Sequence, residues 1–217
     1  GITSISEAVL NAIGKVGIES GTAIEIDKSI TGDNTNRTSI TAGYQIRLLA
    51  ERSDFYNYGT ISGAGAISLE AGRGYTANII NGGTIQSTDV DTSKATATGT
   101  TTSTSGGIGI TAHNSVTNEG TISASSQIIF SVPDSLTNTG TINSTGNNVH
   151  VHIGRDFMNN AVYGTDSSGK TVLTGGIITA GGNVQVDHTL PSGMTAVSTG
   201  SAPDGIFNSG LIEANGN

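Results

Sequence analysis

The chain has 217 residues, 32 of them glycine, with 4% aromatic and 12% charged residues and a formal net charge of −8. That composition excludes the basic, phosphate-neutralising surface nucleic acid requires, and so few charges argue against a disordered chain. No stretch of about 18 apolar residues suggests a membrane span, and the absence of cysteine excludes a disulfide framework and a Cys-based metal site.

At the start of the chain, Ser4-Ile-Ser-Glu7 matches a capping box and is followed by Ala8, Val9, Leu10, Ala12, Ile13 and Gly14. This pattern predicts a short helix within residues 1–20, covering the open end of a first coil; in the competing reading, Val9-Leu-Asn11 opens an irregular first repeat. The N-terminal residues carry no charged-then-apolar leader pattern, so any export signal is expected to have been removed or to lie outside this sequence.

From residue 55 onward one motif recurs, apolar-x-Asn-x-Gly-x-Ile. Its copies are Phe55-Tyr-Asn57-Tyr-Gly59-Thr-Ile61, Ile79-Ile-Asn81-Gly-Gly83-Thr-Ile85, Val116-Thr-Asn118-Glu-Gly120-Thr-Ile122, Leu136-Thr-Asn138-Thr-Gly140-Thr-Ile142, Phe157-Met-Asn159 and Ile206-Phe-Asn208-Ser-Gly210-Leu-Ile212. The asparagines are separated by 24, 37, 20, 21 and 49 residues, which fits a period of 20–24 with insertions. The step of 49 is read as two coils, because Gly176-Ile-Ile178-Thr-Ala180 repeats the Gly-x-Ile unit. Each repeat also holds an alternating apolar pair: Ile24/Ile26, Ile46/Leu48, Ile67/Leu69, Ile108/Ile110, Ile128/Phe130, Val149/Val151 and Val184/Val186. Alternation with period two means a strand with these side chains on one face.

Such a unit cannot bury its apolar face alone and must stack on copies of itself. The expected fold is therefore an all-β, right-handed parallel β-helix of about seven coils, a single solenoid domain over 1–217. Three interior ladders follow, one of them Ile18, Ile40, Ile61, Ile85, Ile122, Ile142, Ile178 and Ile212. Asparagine is expected at a corner because it tolerates left-handed backbone and can stack its amides, and the glycine two residues on is expected to make the turn. An antiparallel sandwich, the rival fold, would not need Asn-x-Gly at one phase of every repeat. Residues 88–107, 163–175 and 188–205 break the period and are expected to be surface loops, available for binding or neutral drift.

Side chains able to act on a ligand stand on the outward positions between and beside the alternating pairs. One column reads Glu25, Arg47, Ser68, Gly109, Ile129, His150 and Gln185, the next Asp27, Leu49, Glu70, Thr111, Ser131, His152 and Asp187. Glycoside hydrolysis needs two facing carboxylates, and neither column places two on adjacent coils, so no catalytic residues are expected. His150 and His152 point the same way, with Asp187 one coil on. This trio is the candidate for a transition metal; a solvated histidine pair on a polar face is the alternative, and the expectation is no bound metal and no cofactor. Tyr44, Tyr56, Tyr58 and Tyr75 fall in one region and form a candidate contact surface for sugars or proteins, or else occupy partly buried corners.

The run Leu136-Thr-Asn-Thr-Gly-Thr-Ile-Asn-Ser-Thr-Gly-Asn-Asn-Val-His-Val resembles the haemagglutinin-type repeats of filamentous-haemagglutinin-like exoproteins. Asn57-Tyr-Gly-Thr-Ile-Ser-Gly-Ala-Gly-Ala-Ile is similar to passenger repeats of autotransporter adhesins. The resemblance spans most of 40–217 as a periodic pattern. It implies a right-handed β-helix, secretion through an outer-membrane pore, a bacterial surface or extracellular location, and a role in adhesion or as a stalk. The Asn-Pro-Asn motifs of the family's secretion domain are absent. Expected partners are flanking coils or other copies, and surface glycans or proteins. A self-assembling filament or layer subunit is the alternative function, and a polysaccharide-active enzyme a more distant one.

Overall fold

The alternating segments pair into three parallel sheets that wind around one interior in the computed structural model, which describes residues 2–4, 18–20, 23–28, 34–37, 39–42, 45–50, 52–88, 106–196 and 205–216. The first sheet stacks Ile2–Ser4, Ala23–Lys28, Gln45–Ala50, Ile67–Ala71, Ile108–Ala112, Ile128–Val132, Val149–Ile153 and Val184–Asp187. The second stacks Asn34–Asn36, Phe55–Asn57, Ile79–Asn81, Val116–Asn118, Leu136–Asn138, Phe157–Asn159 and Ile206–Asn208. The third runs from Ile18–Ser20 and Ser39–Ala42 through Thr60–Gly63, Thr84–Ser87, Thr121–Ala124, Thr141–Ser144 and Ile177–Ala180 to Leu211–Ala214. One turn of the chain visits the sheets in this order, so each strand pairs with its equivalent one turn away. This is a parallel β-helix.

The register follows the repeat. Ile40, Ile61, Ile85, Ile122, Ile142, Ile178 and Ile212 are successive partners in the third sheet. Phe55, Ile79, Val116, Leu136, Phe157 and Ile206 are successive partners in the second. From Ile40 to Ile178, and from Phe55 to Phe157, these ladders form the core together with Ile46/Leu48, Ile67/Leu69, Ile108/Ile110, Ile128/Phe130 and Val149/Val151; Ile61, Ile85, Ile122 and Ile142 are fully buried, and Val184, Val186 and Ile212 pack partly buried against its end. Removing an isoleucine side chain from water contributes about 1.5–3 kcal/mol, and each coil repeats that gain in all three sheets.

A polar ladder runs beside the apolar ones. The Asn36 amide nitrogen donates to Asn57 Oδ1 at 2.7 Å, Asn57 to Asn81 at 2.7 Å, and Asn81 to Asn118 at 2.8 Å. Asn118 donates to Asn138 at 2.7 Å, Asn138 to Asn159 at 2.8 Å, and Asn159 to Asn208 at 2.8 Å. Every bond points the same way, so each amide polarises the next. Asn57, Asn81, Asn118, Asn138 and Asn159 are buried, and each also donates to a carbonyl of the neighbouring corner. Asn36, preceded by no apolar residue, is a rung that the motif did not reveal. A second polar stack lies at the entry to the same sheet. Asp54 accepts from the Asn78 backbone and side chain, Asn114 donates to Asn78, and Ser115 and Arg155 both donate to Asp134.

The backbone corrects the expected reasons for asparagine and glycine. Among the described residues no non-glycine has a positive φ, so the stacked asparagines are not held for left-handed geometry. Nor is φ positive at Gly83, Gly120, Gly140 or Gly210. Glycine is required there by close approach: a Cβ on Gly120 would lie 2.0 Å from the Gly83 carbonyl oxygen, and one on Gly140 would lie 2.0 Å from that of Gly120. The corners are packed backbone on backbone.

The step from Asn159 to Asn208 holds one coil, not two. Phe157–Asn159 pairs directly with Ile206–Asn208, and Ile177–Ala180 completes the coil begun at Asn159. The extra length sits in two insertions. One is not an irregular loop but an antiparallel hairpin, Val162–Thr165 with Thr171–Gly175, whose turn is closed by the Asp166 carboxylate accepting from Ser168 and Lys170. Gly169 takes φ +82° in that turn. The other insertion begins after Asp187 and folds back over the outer face of the first sheet, where Pro191–Met194 face Ser131 and Thr111. Ser131 is consequently buried, and Leu49 is buried as well, so two positions of the expected outward column do not face solvent. Most of the 88–107 insertion, residues 197–204 and the expected helix within 4–13 lie outside the described residues, apart from Ser4, which is in a strand.

Candidate functional site

Among the described residues, the outer face of the first sheet carries two groups of titratable side chains. In Val149–Ile153, alternation turns Val149 and Val151 into the core and His150 and His152 outward. Parallel pairing then sets His150 opposite Gln185 and His152 opposite Asp187. The structure thus brings together the three residues that the repeat register singled out. His150 Nε2 lies 2.6 Å from Asp187 Oδ2, and His152 Nδ1 lies 3.2 Å from Asp187 Oδ1. The two imidazole centroids are 3.9 Å apart with the rings tilted by 43°.

Two residues with no assigned role complete the site. Gln185 donates to Asp187 Oδ2 at 3.0 Å, and Thr189 donates to Oδ1 through its backbone N–H at 3.0 Å and through its hydroxyl. Partial desolvation works against the Asp187 charge. The hydrogen bonds from His150 and Thr189 and the proximity of His152 outweigh it and hold the carboxyl well below the usual carboxylate range. Gln185 was legible from the register; Thr189 sits in an insertion, where the period says nothing.

Two to three coils away on the same face lies a second group. Glu70 pairs bidentately with Arg73, at 2.9 and 2.6 Å, and its Oε1 is 3.6 Å from His113 Nε2. Partial burial raises the Glu70 pKa, but Arg73, His113 and Arg47 together bring it below its ordinary value. Glu70 and His113 line a groove of about 160 Å³ with Thr111, Ser131 and the folded-back Pro191–Met194. On the column itself, Glu70 is flanked by Leu49 and Thr111, and Asp187 by His152. Among the described residues, no two carboxylates face each other across adjacent coils there.

The tyrosines divide. Tyr56 stacks on Tyr58 at 6.3 Å with the rings 20° apart, and the Arg37 guanidinium lies 5.3 Å from the Tyr58 centroid. The Tyr56 hydroxyl donates to Asp54. Tyr75 stands against Arg52 at 5.2 Å. Tyr58 and Tyr75 are about half exposed, and Tyr44 lies outside the described residues. Arg37 follows Asn36 as Tyr58 follows Asn57, so it is in phase with the ring but belongs to the rung that the motif does not reveal; Arg52 has no such relation to Tyr75.

No family model, curated protein or solved structure matches the chain.

Proposed function

We propose that the protein is a non-enzymatic, extracellular scaffold of bacterial-surface type, a segment of an adhesin or stalk. The observation that carries this reading is the continuity of the asparagine ladder and the isoleucine core through the described coils, while the irregular sequence is displaced into insertions at the corners. Stacking of this kind suits a rigid element that sets a distance and displays loops. Among the described residues, Glu70 is the one carboxylate lining its groove and is flanked on its column by Leu49 and Thr111, which supports a scaffold over a glycoside hydrolase. The half-exposed Tyr58 and Tyr75, each beside an arginine, supply a surface suited to sugar or protein contacts.

In the last described coil Ile206, the register partner of the buried Phe157, is 55% exposed. A further coil, from the same chain or from another copy, would cover it. In producing cells, antibody to the chain should label intact cells and the label should disappear after brief external proteolysis. Beads coated with the chain should adhere to cells or matrix. Antigen accessible only after lysis, or polysaccharide turnover abolished by Glu70→Gln, would overturn the reading.

A further inference from the structure

We propose that His150, His152 and Asp187 form a binding site for one divalent transition-metal ion of the zinc or copper class, joining the coil of Val149–Ile153 to that of Val184–Asp187. This goes beyond the scaffold reading and does not depend on it. Spacing alone is equally compatible with two solvated histidines; the geometry adds three observations.

The first is convergence. One ligand atom from each residue can be chosen so that all three lie within 4.8 Å of one another. Metal–nitrogen and metal–oxygen distances of about 2.0–2.1 Å put neighbouring ligand atoms of a tetrahedral site ~3.3 Å apart. His152 Nδ1 and Asp187 Oδ1, at 3.2 Å, already have that spacing. His150 Nε2 lies 2.6 Å from the other oxygen, Oδ2, so its ring must turn toward Oδ1 for one carboxylate oxygen to serve with both imidazoles. The His150 side chain is 28% exposed, so its ring has room to turn.

The second is support. A ligating carboxylate is normally fixed by hydrogen bonds from residues behind it. Thr189 holds Asp187 Oδ1 through both its N–H and its hydroxyl, and Gln185 holds Oδ2. The carboxylate is therefore a fixed point toward which the imidazoles turn.

The third is charge and ligand type. Asp187 offers a carboxylate, the two imidazoles stand 3.9 Å apart, and the chain carries a net charge of −8. Two imidazoles and one carboxylate suit zinc, copper and nickel, whereas calcium and magnesium favour all-oxygen sites. Three protein ligands leave a coordination position for water or for a group from outside.

The experiment is calorimetric titration of the intact metal-free protein with Zn²⁺, with Cu²⁺ and, as a control, with Ca²⁺. Zinc and copper should each saturate at one equivalent and raise the melting temperature, and calcium should do neither. The His150→Ala/His152→Ala double variant should abolish both effects while keeping the wild-type circular dichroism. Thr189→Val, which removes only one bond behind the carboxylate, should weaken zinc binding by about 10-fold. His113→Ala, in the other group on this face, should leave it unchanged. Bound Cu²⁺ should show hyperfine coupling to two imidazole nitrogens by electron paramagnetic resonance. No binding by the wild type, or binding retained in the double variant, would overturn the proposal.

Discussion

Truncating one asparagine in the middle of the ladder should cost far more than truncating one at its exposed rung. Asn118 is fully buried. It accepts from Asn81 at 2.8 Å, donates to Asn138 at 2.7 Å, and lies 3.3 Å from the carbonyls of Gly120 and Thr141. Asn118→Ala strips the Asn138 oxygen of its ladder donor and the Asn81 amide of its best acceptor. A buried polar group left without a partner costs about 1–3 kcal/mol. Two such groups give an upper figure of about 6 kcal/mol, but Asn81 keeps weaker contacts to Gly83 and Thr121, at 3.3 and 3.4 Å. We therefore expect a loss of about 2–4 kcal/mol.

Asn208 is exposed, and its neighbour Asn159 also donates to Gly176 at 2.9 Å and to Leu211 at 3.3 Å. Asn208→Ala should therefore cost under about 1 kcal/mol. Thr117→Ala, an outward neighbour of Asn118, should stay within about 0.5 kcal/mol of wild type. Urea unfolding followed by far-ultraviolet circular dichroism measures all three, with midpoints compared at a common slope. Equal losses at Asn118 and Asn208, or a loss below about 1 kcal/mol at Asn118, would refute the reasoning.

Gly120→Ala should destabilise by about 1–3 kcal/mol in the same unfolding assay, since its Cβ would lie 2.0 Å from the Gly83 carbonyl oxygen and the stacked corners must separate. Ile122→Asp should cost several kcal/mol by placing an unpaired charge in a dry ladder, whereas Ser123→Asp, turned outward between Gln86 and Asn143, should change the midpoint little. Glu70→Gln should remove a pH-dependent contribution of under about 1 kcal/mol, discounted because Arg73 is largely solvated. Because the folded pKa of Glu70 is lowered, the wild-type advantage should be full above about pH 5 and disappear as pH falls through the lowered value, as acid titration of stability would record.

The interior was legible in the sequence because stacking forces the same residue type to the same phase in coil after coil. The isoleucines at 61, 85, 122 and 142 each follow Gly-Thr and occupy equivalent buried places. Legibility failed where a coil lost part of its motif. Asn36 follows Asn34-Thr rather than an apolar residue, so its rung was passed over. Gly176 was counted as a new coil although Thr174, not asparagine, stands two residues before it. The hairpin had moved that glycine away from Asn159 along the chain while leaving it beside Asn159 in space. The pairing of His152 with Asp187 could be read because outward residues obey the same register as inward ones. Thr189, Met194 and Arg52 could not, because residues in insertions and corners are placed by packing against a surface and carry no phase; Arg37, in phase with Tyr58, is hidden with the Asn36 rung. The reasons given for Asn-x-Gly also needed coordinates, since a requirement for unusual backbone and a requirement for empty space select the same glycine.

The ladder counts turns rather than residues. Successive rungs are 21, 24, 37, 20, 21 and 49 positions apart, yet each amide bond closes at 2.7 or 2.8 Å. A chain that has wandered through an excursion of any length is brought back into phase at the next asparagine, where a slip of one residue would bury an apolar side chain among amides and an amide among isoleucines. Registration errors therefore cannot accumulate along the rod, because alignment is reset once per revolution. Contour length then becomes a free variable at the corners, and new segments can be spliced in there without disturbing the pitch on either side.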